Sequence, residues 1–193
     1  MENNTRELSG MRIELFLPMQ EMQKKILIPR LTHSATIVTV QSGNENLSDC
    51  DALITENRAL TLGITTADCA PVCFSDGTRI GIAHIGWRGL CLGLAEKMFA
   101  QFDTQNLSVY VGPFLHSFEI QKDFCYDQIT AKFEERFFEQ ESGRIIFNFK
   151  KALASVLSPQ AMYDSRDTLT DASFPSHRRN GTKDRFITAV SLV

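Results

Sequence analysis

Cys69 and His84 are the residues of this chain whose types and spacing first suggest chemistry, because a hairpin turn lies between them. If Asp76 and Gly77 are the two central residues of a Ser-Asp-Gly-Thr turn, Ser75 pairs with Thr78 and Cys69 comes to face His84. Directly opposed residues project to one side of a sheet with Cβ atoms about 4.5–5.5 Å apart. One metal ion spans such a gap, since Zn–S is near 2.3 Å and Zn–N about 2.0 Å. A bulge at Pro71 would slip the pairing by one residue and turn one of the two side chains to the other face. The same two groups could also serve as a cysteine nucleophile and its base. A single cysteine in an apolar strand is usually core, and a histidine at a strand end is usually just hydrogen-bonded. The pair alone therefore leaves metal, nucleophilic and structural readings open.

Short strands must do the positioning. Residues 11–17 alternate toward a strand, 35–40 are β-branched, 41–48 form a polar loop, and 52–55 and 60–65 are further short strands. Residues 71–75 and 79–84 make the hairpin around Asp76-Gly77. Leu90, Leu94, Met98 and Phe102 then fall near helical spacing, with Cys91 and Ala95 widening the stripe, which predicts a helix packed on the sheet. Residues 107–111 read as a strand ending at Gly112-Pro113, residues 126–140 and 149–157 as amphipathic helices, and 185–193 as a closing strand. Strands come partly in hairpins and partly between helices, so the expected class is α+β with a mixed sheet.

Composition narrows the partners. With 43% hydrophobic and 22% charged residues, 193 residues can bury a sizeable core, and no repeat or linker divides the chain, so one domain over 1–193 is expected. The formal net charge is -3 with scattered Lys and Arg, which argues against a nucleic-acid partner. Residues 1–11 are polar and charged, with no apolar stretch behind a basic start, and no later run approaches the roughly 20 apolar residues that span a bilayer, so no membrane partner and a cytoplasmic location are expected. Five cysteines at irregular spacing fit a reducing compartment rather than a disulfide framework.

The residues around the pair carry a resemblance. Thr65-Thr66-Ala67-Asp68-Cys69-Ala70-Pro71-Val72 and His84-Ile85-Gly86-Trp87-Arg88-Gly89-Leu90 resemble the TADC-x-P and HAGWRG signatures of the YfiH-like family, also described as multicopper polyphenol oxidase or laccase-domain proteins. The likeness runs on in order through Asp51-Ala52-Leu53-Ile54-Thr55, Val111-Gly112-Pro113, Phe118-Glu119-Ile120 and the tail FPSHRRNGTKDR at 174–185. It implies a mixed β-sheet sandwich flanked by helices and a third metal ligand at His33, completing a set of His33, Cys69 and His84. Two His and one Cys leave a fourth position for water or substrate, the pattern of a catalytic zinc site. The implied chemistry is phosphorolysis of adenosine, inosine, guanosine or methylthioadenosine and hydrolytic deamination of adenosine, on small-molecule purine nucleosides with phosphate. Copper is possible, as is polyphenol oxidation, but zinc ranks first because the thiolate is redox-sensitive and the cytosol keeps copper scarce. A metal-free Cys69–His84 cysteine hydrolase and an inactive family member are the alternatives.

Three neighbours have roles consistent with that chemistry. Cys69 and Asp68 stand as catalytic candidates, Asp68 as general acid or base, as the group that fixes His84, or as a turn cap. Arg88 follows Gly86-Trp87, where a guanidinium would suit a phosphate or equally tie loops together by a salt bridge. Ser176, Arg178 and Arg179 could reach the same pocket, although a basic turn is more often solvated; Trp87 reads as packing, and His116 and His177 as surface or core histidines. This chain departs from the family pattern with Leu31-Thr32 before His33, Ser34 after it, Ile85, Asp167-Thr168 and His177. These changes bear on substrate choice more than on metal binding.

Overall fold

The structure, a computed structural model, describes residues 4–193. Its elements in chain order are β1 (Thr5–Leu8), β2 (Met11–Phe16), β3 (Ile37–Thr39), β4 (Ala52–Thr55), β5 (Thr61–Thr66), β6 (Ala70–Ser75), β7 (Ile80–Ile85), α1 (Trp87–Cys91), α2 (Leu94–Phe99), β8 (Ser108–Val111), β9 (Phe118–Ile120) and α3 (Phe124–Thr130). A short 3-10 turn (Glu135–Phe137) leads into β10 (Phe138–Glu141), β11 (Arg144–Phe147), α4 (Phe149–Val156), β12 (Met162–Tyr163), α5 (His177–Asn180) and β13 (Phe186–Leu192). Among these described residues no helix is long and apolar enough to cross a membrane.

Among the described residues three sheets form: β1-β2-β13-β5, β12-β8-β6-β7-β4-β3 and the small β10-β11-β9. In the six-stranded sheet β12 pairs with β8 and β3 with β4 in parallel, while the inner pairs are antiparallel, so the sheet is mixed as expected. The first two sheets face one another as a sandwich. Ile13, Leu62, Ile64 and Val190 meet Leu53, Cys73, Ile80, Ile82 and Tyr110 between them. The far face of the six-stranded sheet is covered by helices and the third sheet, where Val72, Phe74, Ala83 and Ile85 pack against Leu90, Leu94, Met98, Phe147, Phe149 and Leu153. Both faces of β6 and β7 are thus buried, which explains why these strands read as nearly continuous apolar runs.

Three expectations need correction. The β6–β7 hairpin is present, but Ser75 pairs with Ile80, so the turn holds four residues and Pro71, not Cys69, lies opposite His84. The Asp76 carboxylate accepts from Thr78 N and Oγ and from Arg79 N, which fastens the wider loop. The expected helix over 126–140 ends at Thr130, and its remainder becomes the 3-10 turn and β10. The helix after Gly86 is also interrupted: Gly93 adopts φ +75 and separates α1 from α2.

Helix α4 supplies one wall of a cleft. Asn148 caps it, its side chain accepting from Lys151 N at 2.9 Å, a contribution of about 1 kcal/mol. The helix buries Phe149, Ala152 and Leu153, and this packing holds Phe149 at the cleft wall.

Candidate metal centre

The slip of two residues in the hairpin preserves side-chain parity, so Cys69 and His84 still share the sandwich-facing side of the sheet. Gly86 is the residue in register with Cys69. A Cβ at Gly86 would lie 2.8 Å from the Cys69 Sγ, so glycine there clears the space that the thiol occupies. His33 arrives from the loop before β3, and its ring meets that of His84 edge-on at 4.9 Å. One donor atom from each of His33, Cys69 and His84 lies within 4.8 Å of the others. Sequence reasoning therefore named three side chains that the fold brings together. Two imidazoles and a thiol at that spacing fit one borderline-soft ion with bonds of about 2.0–2.3 Å.

The residue that organises the group is Asp51, which carries no role in the sequence reading. It is fully buried and lies beside His84 across the β4–β7 pair, where His84 N donates to Asp51 O at 2.7 Å. Asp51 Oδ1 sits 2.9 Å from His84 Nδ1 and accepts from His33 N at 2.9 Å. Its Oδ2 accepts from Ser34 N and Oγ at 2.7 and 2.8 Å, and from Thr32 N and Oγ at 3.2 and 3.3 Å. One carboxylate thus sets the His84 tautomer, with the Nδ1 proton facing Asp51 and Nε2 left as the donor to a metal. It also holds the turn that puts His33 at φ +58, a conformation unfavourable for a non-glycine residue. The signal was available as an acidic residue at the head of an otherwise apolar strand.

Asp68 does not contact His84 in this arrangement. Its Oδ1 accepts from Thr168 Oγ at 2.8 Å and its Oδ2 from Arg178 N at 2.7 Å, so it joins the ligand-bearing turn to the C-terminal segment.

The electrostatics favour a charged pair. Burial alone would raise the Cys69 thiol, but the neighbouring His84 and hydrogen bonds from both histidines outweigh it and hold the group at about 6. Burial alone would lower His84, yet Cys69 and Asp51 outweigh it and lift the imidazole to about 9. In the metal-free protein the thiolate contribution to stability is lost as pH falls through about 6, and the imidazolium contribution as pH rises through about 9. A metal requires thiolate and neutral imidazole, so it displaces one proton from this pair between those values and two below them. Apparent zinc affinity is expected to rise about tenfold per pH unit from pH 6 to 9, about a hundredfold per unit below 6, and to flatten above 9. Competition with a chromophoric chelator across pH measures this; a flat profile through pH 6–9 would show that binding displaces no proton from the pair.

A cleft of about 350 Å³ opens onto the group. His33, Asp68, Cys69 and Gly86 line it with the apolar Trp87, Leu115, Phe118 and Phe149 and the basic His177, Arg178 and Arg185. His84 lies behind them, 4% exposed. Arg88 is not among the cleft residues; it stacks on Trp87 and Phe124 at 5.1 and 5.7 Å and lines a neighbouring depression. Ser176 is buried and caps α5 through Arg179 N, while the Arg179 guanidinium is taken up by the carbonyls of Thr168, Leu169, Asp171 and Phe174. His177, read from sequence as a surface or core residue, and Trp87, read as packing, both stand on the cleft wall.

Comparison with known proteins gives the family and the fold. Residues 8–193 match the family described as multi-copper polyphenol oxidoreductase laccase. A purine nucleoside phosphorylase of Aquifex aeolicus is 24% identical over 181 residues, covering 89% of this chain and 84% of that protein. Purine nucleoside phosphorylase YfiH of Escherichia coli is 29% identical over 155 residues, 74% of this chain, and the match spans 64% of its length. The crystal structure of the Bacillus licheniformis hypothetical protein YfiH superposes with a TM-score of 0.75 at 25% identity, covering 87% of this chain and 74% of that one.

Proposed function

The chain belongs to the multi-copper polyphenol oxidoreductase laccase family, and we propose that it is a cytoplasmic zinc enzyme that cleaves purine nucleosides with phosphate and also deaminates adenosine. The observation that carries this reading is the convergence of His33, Cys69 and His84 beside one cleft whose walls include the aromatic rings of Trp87, Phe118 and Phe149. Relatives bearing the name purine nucleoside phosphorylase supply the substrate class. His33, Cys69 and His84 would hold the ion. Zinc bound by them would supply a Lewis acid able to lower the pKa of a water toward about 7.

The chain's own residues do the rest. Trp87, Phe118 and Phe149 offer flat apolar surface for a purine and exclude water from it. Asp51 keeps His84 in the tautomer that binds. Phosphorolysis breaks the bond from ribose C1′ to the base nitrogen, forms C1′–O to phosphate, and moves the proton that the attacking phosphate gives up to the departing base. Asp68 lines the cleft beside Cys69, and carrying that proton falls to it in this reading.

The test is turnover by the zinc-loaded protein of adenosine, inosine, guanosine and methylthioadenosine, with and without phosphate. Free base and ribose 1-phosphate formed only with phosphate, lost on chelation and restored by zinc, are expected. No product from any nucleoside at full zinc occupancy would sink the proposal.

A further inference from the structure

The cleft carries more positive charge than the metal group uses. Arg178 and Arg185 line it. Neither guanidinium meets a carboxylate among the described residues: Arg178 lies over the Phe118 ring at 4.7 Å and gives one N–H to Glu119 O at 3.3 Å. Arg185 donates to the carbonyls of Thr182 and Asp184. Each guanidinium has five N–H donors, so donors remain for a ligand. Arg179 makes the contrast, since four backbone carbonyls occupy it inside the loop.

Arg178 is also held in register with the metal group. Its main-chain N–H donates to Asp68 Oδ2 at 2.7 Å, and Asp68 is the residue before Cys69. A planar fork of N–H groups matches the oxygens of a tetrahedral oxyanion, and two forks in a partly apolar cleft match it better than one.

We infer that Arg178 and Arg185 form an oxyanion subsite for a phosphate group in the cleft that contains His33 and Cys69. The ligand is either inorganic phosphate, as co-substrate, or a phosphate carried on a nucleotide. Assignment to inorganic phosphate rests on the phosphorolysis reading; the subsite itself does not. Arg88, the arginine that the sequence pointed to, lines the depression next door and is predicted to play no part in it.

Calorimetric titration of the zinc-loaded protein with inorganic phosphate, and separately with adenosine 5′-monophosphate, tests the inference. Arg178→Gln and Arg185→Gln are each expected to weaken phosphate binding about tenfold, Arg178→Lys to weaken it less, and Arg88→Gln to leave it unchanged. Zinc content and thermal midpoint of each variant report folding, and Arg185→Gln stands as the probe if the Arg178 variants do not fold. In turnover, KM for phosphate should rise by the same factor with KM for the nucleoside unmoved. Weakened monophosphate binding with free phosphate unaffected supports the subsite with the nucleotide as its source. Binding of phosphate and of the monophosphate that none of the Arg178 and Arg185 variants weakens, or no binding of either probe, overturns it. Arginine-dependent phosphate binding in a protein that cleaves no nucleoside leaves the subsite standing and removes the phosphorolysis reading instead.

Discussion

Cys69→Ala is expected to yield a folded protein with almost no zinc, and turnover lower by on the order of a thousandfold, the several kcal/mol that a Lewis acid contributes. The fold should tolerate the change because Cys69 lies just before β6, partly exposed, facing a glycine rather than core side chains. What is lost is the thiolate, and two imidazoles without it make a poorer site for a borderline-soft ion. Elemental analysis of protein purified without added metal measures the first effect, and nucleoside turnover the second.

His33→Ala separates this mechanism from a cysteine hydrolase. A Cys69–His84 dyad has no need of His33, whereas the metal group loses one of its three ligands and with it most of its affinity. Full activity in His33→Ala, or in wild-type protein stripped of metal, would remove the metal mechanism and favour the dyad. Zinc and activity lost together in both variants would remove the dyad.

Much of this was legible in the sequence because the core strands have strong local signals. The run at 52–55 became β4 unchanged, and the parity of the β6–β7 hairpin put Cys69 and His84 on one face even though the register was two residues out. The register failed for a local reason: Asp-Gly is a signal for a two-residue turn, but the Asp76 side chain caps a four-residue one. The helix expected over 126–140 failed for a tertiary one. Ile129, Phe133 and Phe137 repeat every four residues, as on a helix face, yet the segment after Phe137 is claimed by pairing with β11. The overlooked cue was Ser142-Gly143, both at positive φ in a two-residue hairpin loop.

The departures around His33 become intelligible only in three dimensions. Thr32 and Ser34, two of those departures, each turn a hydroxyl as well as an N–H onto Asp51. The loop is held by polar bonds to one carboxylate that lies 17 to 19 residues further along the chain. No periodicity in the sequence reports such a bond. The same holds for the departure at Asp167-Thr168: the Thr168 hydroxyl ties Asp68, and Asp167 sits 3.5 Å from His116.

Asp51→Asn is expected to reduce zinc affinity about 10- to 100-fold and to lower the stability of the metal-free protein by about 3–5 kcal/mol. Both Asp51 oxygens face donors, so an amide has no good orientation. With its NH2 at the Oδ1 position, the His33 N–H loses its acceptor and His84 must accept at Nδ1. The ring proton then moves to Nε2, the atom needed by the metal. With the NH2 at the Oδ2 position, it confronts the N–H groups of Thr32 and Ser34, and the His33 turn opens. The native carboxylate escapes this conflict because it stays ionised: burial would raise it, but His84 and Ser34 outweigh burial and hold it well below the usual range. Asp68→Asn is the control, since its partners are Thr168 and Arg178 rather than a ligand. It should keep its zinc and lose turnover alone. Chelator competition and denaturant unfolding on both variants decide the matter. If Asp68→Asn sheds zinc while Asp51→Asn keeps it, the carboxylate that orients His84 has been misassigned.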